Sequence, residues 1–336
     1  MARVLSGIQP TGDIHLGNYL GAVRHWAEDQ RAADAYFCVV DLHALTLPRE
    51  PGELRAKTYE TALGLIAAGL DPDVCTLFVQ SHVPQHTQLA WILECVASMG
   101  ELRRMTQFKD KARGNDESAR VGLFTYPVLQ AADVLLYDAD RVPVGDEQRQ
   151  HIELCRDLAI RFNGRYGDVF TVPEATVPTV GARIMDLQEP TAKMSKSAES
   201  NRGVVLVLDE PDAIDRKIRR AVTDPSSQIR FDPEHKPGVS NLLQILAAAT
   251  GAPDPAALAD EFADYASLKS AVTGAVVELL RPVRERYLEL ATDPQGADEL
   301  LARGARKAEA VAAATLERAR DAIGMLAPVR QAAPAR

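Results

Sequence analysis

The fold is decided by the stretch Gln9-Pro10-Thr11-Gly12-Asp13-Ile14-His15-Leu16-Gly17-Asn18, which directly follows the apolar run Val4-Leu5-Ser6. The apolar run is typical of a buried strand, and apolar residues about 3.6 positions apart from Leu16 onward predict a helix that begins near Gly17. A strand, a glycine loop and a helix N-terminus direct backbone N–H groups and the positive end of the helix dipole into one small volume. The stretch therefore predicts a phosphate site, and Gly17 lets a ring or a ribose lie against the backbone.

A second string, Lys193-Met194-Ser195-Lys196-Ser197, lies far along the chain in a serine-rich loop. Its two lysines place cationic donors among hydroxyl groups, an arrangement that suits the charge of a polyphosphate. A single glycine loop is more often an ordinary turn, and a lysine pair is more often solvated surface. Because the five-residue string is specific, the two stretches together predict a site that holds ATP.

The composition is that of a globular chain with a large core. The 336 residues are 46% hydrophobic and 25% charged, which suits two domains. No apolar stretch approaches the length of a membrane span, and Met1-Ala2-Arg3-Val4 leads into a strand without the apolar core of a signal peptide. We therefore expect a cytoplasmic protein without a membrane partner.

Cysteines and histidines give no sign of a metal site. His82 and His86 have the spacing of a ligand pair on a helix, but Pro84 between them indicates a loop that enters a helix. We expect no structural zinc and no metal ligands among the side chains. The cysteines form no Cys-x-x-Cys pair and are interpreted as reduced core residues, namely Cys38, Cys75, Cys95 and Cys155.

Strand and helix patterns alternate through the first half of the chain. Ala35–Val40 and Cys75–Gln80 are short apolar runs typical of strands buried on both faces, and helical patterns cover Glu53–Gly69 and Gln88–Met99. This alternation predicts an α/β fold with a doubly wound parallel sheet. Ligands of such sheets bind beyond the carboxyl ends of the strands, where the sequence places His43.

The pattern changes after the lysine-containing loop. Val204–Leu208 is predicted as one more strand, and the chain from Asp212 to Ile323 is predicted to be helical. This indicates a C-terminal all-helical domain. The tail, residues 327–336, has the composition of a disordered segment.

Both signatures resemble those of the class I aminoacyl-tRNA synthetases. Gln9–Asn18 is similar to the His-Ile-Gly-His element in the variant that ends in Asn, and Lys193–Ser197 matches the Lys-Met-Ser-Lys-Ser element in every residue. Further strings over nearly the whole chain are similar to the tryptophanyl branch, namely Ser6–Gly12, Tyr126–Asp133, Val142–Gly145, Gln150–Leu154, Gly181–Met185, Ala221–Asp224 and Lys236–Gly238.

The resemblance implies a domain organisation. Residues 1–187 form a Rossmann-like catalytic domain, and residues 188–290 form a helical anticodon-binding domain that includes the Lys-Met-Ser-Lys-Ser loop. The helices of about 285–325 pack back on the catalytic domain.

The resemblance also implies a reaction with ATP and residues for it. The substrate carboxylate attacks the α-phosphate, and Lys193, Lys196 and Lys111, with Mg²⁺ carried by ATP, neutralise the departing pyrophosphate. Gln9 is the fourth residue assigned to catalysis. Asp146 and Glu147 stand in the reverse of the usual order, so which of them binds the ribose stays open. The implied ATP-binding residues are Gln9, Pro10, Thr11, His15, Gly17, Asn18, Gly145, Asp146, Glu147, Ile184, Lys193, Met194, Ser195, Lys196 and Ser197.

The amino-acid pocket is predicted on a helix that starts near Tyr126. Tyr126, Gln130 and Asp133 have i, i+4, i+7 spacing, so they share one face of an otherwise apolar helix and suggest a ligand. By resemblance, Asp133 accepts the N–H of the tryptophan indole. The implied tryptophan-binding residues are Asp133, Tyr126, Gln130, Leu5, Gly7, Val40, His43, Val144 and Gln148.

Two residues depart from the tryptophanyl pattern. Leu5 stands where many relatives carry an aromatic residue, and Gln130 stands where bacterial tryptophanyl enzymes often carry Met. The arrangement Tyr-x-x-x-Gln-x-x-Asp also resembles the pocket of tyrosyl-tRNA synthetases. Tyrosine is therefore an alternative substrate, and a paralogue that binds tryptophan and ATP as a sensor without charging tRNA is another alternative.

The implied partners are tRNA(Trp), L-tryptophan, ATP and a second copy of the chain. The formal net charge is −9, but local basic patches decide affinity for phosphates. Arg103–Arg113 and Arg216–Arg220 contain such clusters, each of which is either an RNA contact or a solvated helix face. The apolar segment Thr87–Met99 is the candidate interface of a homodimer.

Overall fold

The computed structural model describes residues 2–50, 52–106, 120–145, 148–176, 182–195, 201–226 and 228–327. Within these residues a five-stranded sheet, parallel throughout, has the order β3-β2-β1-β4-β5. The strands are β1 (Arg3–Ile8), β2 (Asp34–Val39), β3 (Thr76–Val79), β4 (Arg141–Pro143) and β5 (Glu174–Thr176).

Both faces of the sheet are buried because the strand residues alternate between two hydrophobic cores. In β2, Phe37 and Val39 belong to the first core, while Tyr36 and Cys38 belong to the second. A strand covered on both sides reads as a continuous apolar run, which is the pattern the sequence shows. The expected α/β, doubly wound, Rossmann-like fold is confirmed.

The strand order places a crevice between β1 and β4. The chain builds outward from β1 to β2 and β3, then returns to the other side of β1 to form β4 and β5. Such a switch point leaves a crevice beyond the carboxyl ends of the two central strands. The segments that follow β1 and β4 therefore meet at one edge of the sheet.

Helices surround this sheet and continue to the C-terminal end of the described chain. Leu16–Asp29 is helical throughout, with a π-helical turn at Tyr19–Val23 between its two α-helical parts. The described α-helices are α1 (Leu16–Asn18), α2 (Arg24–Asp29), α3 (Asp41–Ala44), α4 (Glu53–Ala67), α5 (Gln85–Glu94), α6 (Met99–Arg104), α7 (Val121–Leu135), α8 (Arg149–Tyr166), α9 (Pro211–Arg219), α10 (Pro237–Thr250), α11 (Tyr265–Ala291) and α12 (Pro294–Ile323).

Two local predictions of secondary structure were wrong, and Cys95, which was predicted to lie in the core, is exposed. The helix predicted to start near Tyr126 begins at Val121, so Pro127 lies inside it. A proline inside a helix removes one backbone hydrogen bond, and here Pro127 is buried, so that packing compensates for the lost bond. Val204–Leu208 is not a strand: Leu206 makes an isolated antiparallel bridge to His15. The run is held by backbone bonds, from the Leu16 N–H to Val205 O at 2.8 Å and from the Val207 N–H to Ile14 O at 2.9 Å, and its valines are buried while its leucines are half-buried.

The C-terminal helices confirm the expected all-helical part. Helix α12 contacts β3 so closely that a Cβ on Gly304 would lie only 1.8 Å from Leu77 O. Arg318 on the same helix pairs with Asp138 at 2.7 Å. The last helix thus packs against the sheet, while residues 328–336, most of the predicted tail, lie outside the described residues. No described helix is long and apolar enough to cross a membrane.

An ion pair between the buried Lys236 and the half-buried Asp224 joins two of the quoted strings in the helical part. Lys236 Nζ lies 2.8 Å from Asp224 Oδ1, and the Tyr265 hydroxyl donates to the same carboxylate at 3.0 Å. Burial opposes ionisation of Asp224, but the bonds from Lys236 and Tyr265 lower its pKa to about 2. The pair therefore fixes the loop before α10.

Candidate active site

A cavity of about 430 Å³ opens at the switch point of the sheet. Its walls come from β1, β4 and helix α7, so three segments distant in sequence converge there. All the residues predicted to bind the amino acid line this cavity, namely Leu5, Gly7, Val40, His43, Tyr126, Gln130, Asp133, Val144 and Gln148. Their individual roles stay predictions.

The floor beside β1 is shaped by the absence of a side chain. A Cβ on Gly7 would lie 3.1 Å from Val40 Cγ1, so a larger residue would push against the wall of the cavity. Leu5 is buried on the same side of the strand. The cavity is therefore apolar at its base.

Asp133 is the one carboxylate among the described residues that line the cavity, and it is 4% exposed. His43 Nε2 lies 2.7 Å from its Oδ2, while Gln80 Nε2 and His86 Nδ1 lie 2.7 and 2.6 Å from its Oδ1. Burial opposes the charge, but the two histidines hold the pKa of Asp133 well below its usual range. The cavity therefore presents an ionised acceptor.

Sequence reasoning missed Gln80, His86 and Tyr137. His86 was considered only as a zinc ligand, whereas its Nδ1 bonds to Asp133 and its Nε2 lies 2.8 Å from the Tyr137 hydroxyl. All three side chains are fully buried. The available signal was a glutamine directly after an apolar strand, because a buried amide needs a polar partner.

Tyr126 and Gln130, which share one face of helix α7 with Asp133, also have polar partners. The Tyr126 hydroxyl lies 3.0 Å from His151 Nε2, and burial raises the pKa of Tyr126 to about 12, so the phenol is neutral. Gln130 Nε2 donates to Gln148 Oε1 at 3.4 Å. In this structure the Gln130 amide is thus directed to another cavity residue.

Replacing Gln130 tests its contact with the ligand. We expect Gln130→Met to weaken tryptophan binding about tenfold, because we predict that the Gln130 amide faces bound tryptophan and reaches either its α-amino group or the Asp133 carboxylate. Calorimetric titration with tryptophan measures this, and tyrosine binding should not increase. Gln188→Met, a glutamine far from the cavity, is the control. Unaltered tryptophan affinity in Gln130→Met would leave Asp133 as the main polar determinant.

The loop after β1 enters the first helix through a capping box. His15 Nδ1 accepts from the Asn18 N–H at 3.2 Å, and Asn18 Oδ1 accepts from the His15 N–H at 3.4 Å. Because Nδ1 accepts, the neutral His15 ring carries its proton on Nε2. A Cβ on Gly17 would lie 3.1 Å from His15 Nδ1, so Gly17 makes room for the imidazole as well as for a ligand.

The two signatures meet in space. Met194 is buried, its N–H donates to Ile184 O at 3.1 Å, and its Cβ would lie 3.5 Å from a Cβ on Gly17. Met194 thus anchors the second string against the first, while the neighbouring Lys193 side chain is exposed.

The structure describes some of the remaining predicted ATP-binding residues and not others. Gln9 and Gly145 line the cavity, and Pro10, Thr11 and Ser195 lie in the described parts of the two strings. Lys111, Asp146, Glu147, Lys196 and Ser197 lie outside the described residues.

The family described as tRNA synthetases class I (W and Y) matches residues 1–281. The chain belongs to this family, in agreement with its switch-point cavity and its two meeting signatures.

Similar proteins lie in the tryptophanyl branch of the family. Tryptophan-tRNA ligase 1 of Streptomyces coelicolor is 54% identical over 336 residues, covering 99% of this chain and 100% of the relative. The solved tryptophanyl-tRNA synthetase of Mycoplasma pneumoniae is 36% identical, with a TM-score of 0.86 and coverage of 97% and 98%. That of Campylobacter jejuni, complexed with ADP and tryptophan, is 32% identical, with a TM-score of 0.85 and coverage of 96% and 100%. The resemblance to the tryptophanyl branch is confirmed, and the tyrosyl alternative is not favoured.

Proposed function

We propose that this chain activates L-tryptophan with ATP to tryptophanyl-adenylate and transfers the tryptophanyl group to tRNA(Trp). The observation that carries the proposal is the ionised Asp133 in a cavity that also has the apolar walls Leu5, Val40 and Val144, since an indole offers one N–H donor on a large apolar ring. The similar ligase of Streptomyces coelicolor and the Campylobacter jejuni structure with ADP and tryptophan support the same substrates.

The two signatures supply the charge stabilisation that the first step needs. The tryptophan carboxylate attacks the α-phosphate in line, and Lys193, Lys196 and Lys111 neutralise the pyrophosphate as it leaves. Mg²⁺ bound to the ATP phosphates adds positive charge at the same place. His15 and Asn18, fixed by their capping box, support the phosphate side of the site, and Gln9 borders both substrates.

The transfer step calls for an RNA-binding surface, which we assign to the helical part. In this proposal residues 1–187 carry the chemistry and residues 188–290 bind the anticodon. In the Arg216–Arg220 cluster, Lys217 lies 2.6 Å from Asp209 and Arg219 lies 2.7 Å from Asp215, so Arg216 and Arg220 are the better candidates for phosphate contacts. Because charged tRNA is used in translation, we place the reaction in the cytoplasm.

The amino-acid specificity is tested by pyrophosphate exchange into ATP with each of the twenty amino acids, followed by charging of total tRNA. We expect exchange with tryptophan and near-background exchange with tyrosine, because Asp133 and the apolar walls suit an indole. Exchange with tyrosine equal to or above that with tryptophan would contradict the assignment. Exchange with tryptophan without tRNA charging would support the sensor alternative.

We also propose a homodimer that forms beside the cavity. Trp91, Met99 and Val121 are 68%, 59% and 76% exposed, and they lie on helices that flank α7 or belong to it. Large exposed apolar side chains on neighbouring helices are typical of an interface, and in a dimer with two-fold symmetry the same surface of each copy faces the other.

A charge in this patch should prevent association. We expect the unmodified chain to sediment as a dimer at micromolar concentration and Trp91→Glu to sediment as a monomer, because a buried unpaired carboxylate is costly. Leu288→Glu, at a 55% exposed position on α11, is the matched control and should leave the dimer intact. A monomeric unmodified chain would remove the proposal.

A further inference from the structure

The three protein donors to Asp133 are distributed unevenly over its two oxygens. Oδ1 accepts from Gln80 Nε2 and His86 Nδ1, whereas Oδ2 accepts from His43 Nε2. Of these donors, His43 lines the cavity, while Gln80 and His86 lie behind the carboxylate in the fully buried interior. Oδ2 is therefore the oxygen on the cavity side.

The bonds determine where the protons are. An ionised carboxylate only accepts, so His43 carries a proton on Nε2 and His86 carries one on Nδ1. The Nε2 atom of His86 lies 2.8 Å from the Tyr137 hydroxyl. Tyr137, His86 and Asp133 thus form one buried chain of hydrogen bonds.

A carboxylate offers about four acceptor positions, two on each oxygen. Here three are occupied by protein donors, both of those on Oδ1 and one on Oδ2. We propose that Gln80 and His86 are positioning residues that saturate Oδ1 and orient the carboxylate, so that Asp133 offers one remaining acceptor position, on Oδ2, to one N–H of the substrate ring. This inference rests on the proposed binding of an indole at Asp133.

The alternative is that Gln80 and His86 only fill the core. The two cases differ for a substrate of the same shape that lacks the N–H, such as β-(3-benzothienyl)alanine, in which sulfur replaces the indole nitrogen. A structural defect lowers the use of both substrates alike. A defect in the acceptor lowers the use of tryptophan selectively, because the isostere never bonds to Oδ2.

The measurement is the ratio of kcat/KM for tryptophan to kcat/KM for the isostere, from pyrophosphate exchange with the full-length protein. We expect a ratio of about 10 to 100 for the unmodified chain, the value of one hydrogen bond to a charged group. Gln80→Leu should reduce this ratio about fivefold to tenfold, since the carboxylate loses a donor that holds it.

His86 provides a matched pair of variants. His86→Asn places an amide nitrogen near the position of Nδ1 and keeps the bond to Asp133, so we expect a ratio within about threefold of the original. His86→Gln extends its amide toward Tyr137 instead and should reduce the ratio as Gln80→Leu does. Tyr137→Phe, which removes one hydroxyl, should reduce it about threefold. Melting temperatures identify the variants that fold.

The outcomes separate this inference from the proposed function. An unchanged ratio in the variants that fold, or an equal loss in His86→Asn and His86→Gln, would overturn the role of Gln80 and His86. If the unmodified chain uses both substrates equally, the binding of an indole at Asp133 fails instead. A ratio that falls as described supports both.

Discussion

Lys196→Ala is expected to lower the rate of adenylate formation at least ~10²-fold with a much smaller effect on tryptophan binding. Pyrophosphate gains charge as it leaves the α-phosphate, and donors aimed at that charge act in the transition state rather than in the ground state. Met194 anchors the string beside Gly17, in the loop region where we propose that the phosphates bind.

Single-turnover formation of the adenylate measures this effect, and equilibrium binding of tryptophan measures the ground state. Lys307→Ala, a lysine on α12 that donates to Pro72 O, is the control and should retain the original rate. An unchanged rate in Lys196→Ala would mean that the second string is only surface.

Asp133→Asn is expected to lower kcat/KM for tryptophan about 10³-fold. An amide has one acceptor oxygen, so the variant cannot satisfy His43, Gln80, His86 and an indole N–H together. Each buried group left without a partner costs about 1–3 kcal/mol, and about 1.4 kcal/mol corresponds to a factor of ten. The stability of the fold should decrease for the same reason.

Asp138→Asn is the matched control, because Asp138 follows α7 in the chain, pairs with Arg318 at 2.7 Å and does not line the cavity. Its kcat/KM should stay within about threefold, as expected for a partly exposed pair outside the cavity. Equal losses in the two variants would indicate general destabilisation in place of a specific role for Asp133.

The lowered pKa of Asp133 also determines the pH dependence. A carboxyl group whose folded pKa is below its unfolded value contributes stability at pH values above the unfolded pKa, and this contribution is lost as the pH falls through the folded pKa. Here the folded pKa of Asp133 lies well below the usual range, so the carboxylate stays ionised between about pH 5 and 8. Because the ionised carboxylate is the proposed acceptor, tryptophan affinity should not fall through protonation of Asp133 in this range.

The sequence by itself was sufficient for the fold class and for the two ATP signatures. Strand β2 could be predicted because Tyr36–Val39 is apolar on both faces, a property of consecutive residues. Helix spacing likewise placed Tyr126, Gln130 and Asp133 on one face of α7, although it did not give the start of that helix at Val121.

Only the tertiary structure decided how Asp133 is held. Gln80 and His86 are 53 and 47 residues away from it in the chain, and neither spacing nor composition links them. The segment Val204–Leu208 shows the same limit. Its apolar residues indicate that the segment is buried, but they do not indicate whether it forms a strand of the sheet. Local periodicity and short motifs depend only on residues that are close in the chain, so the sequence was sufficient to predict the sheet and the two signatures. Hydrogen-bond partners across the core depend on how distant segments pack, so the structure alone determined which side chains hold the acceptor in the cavity.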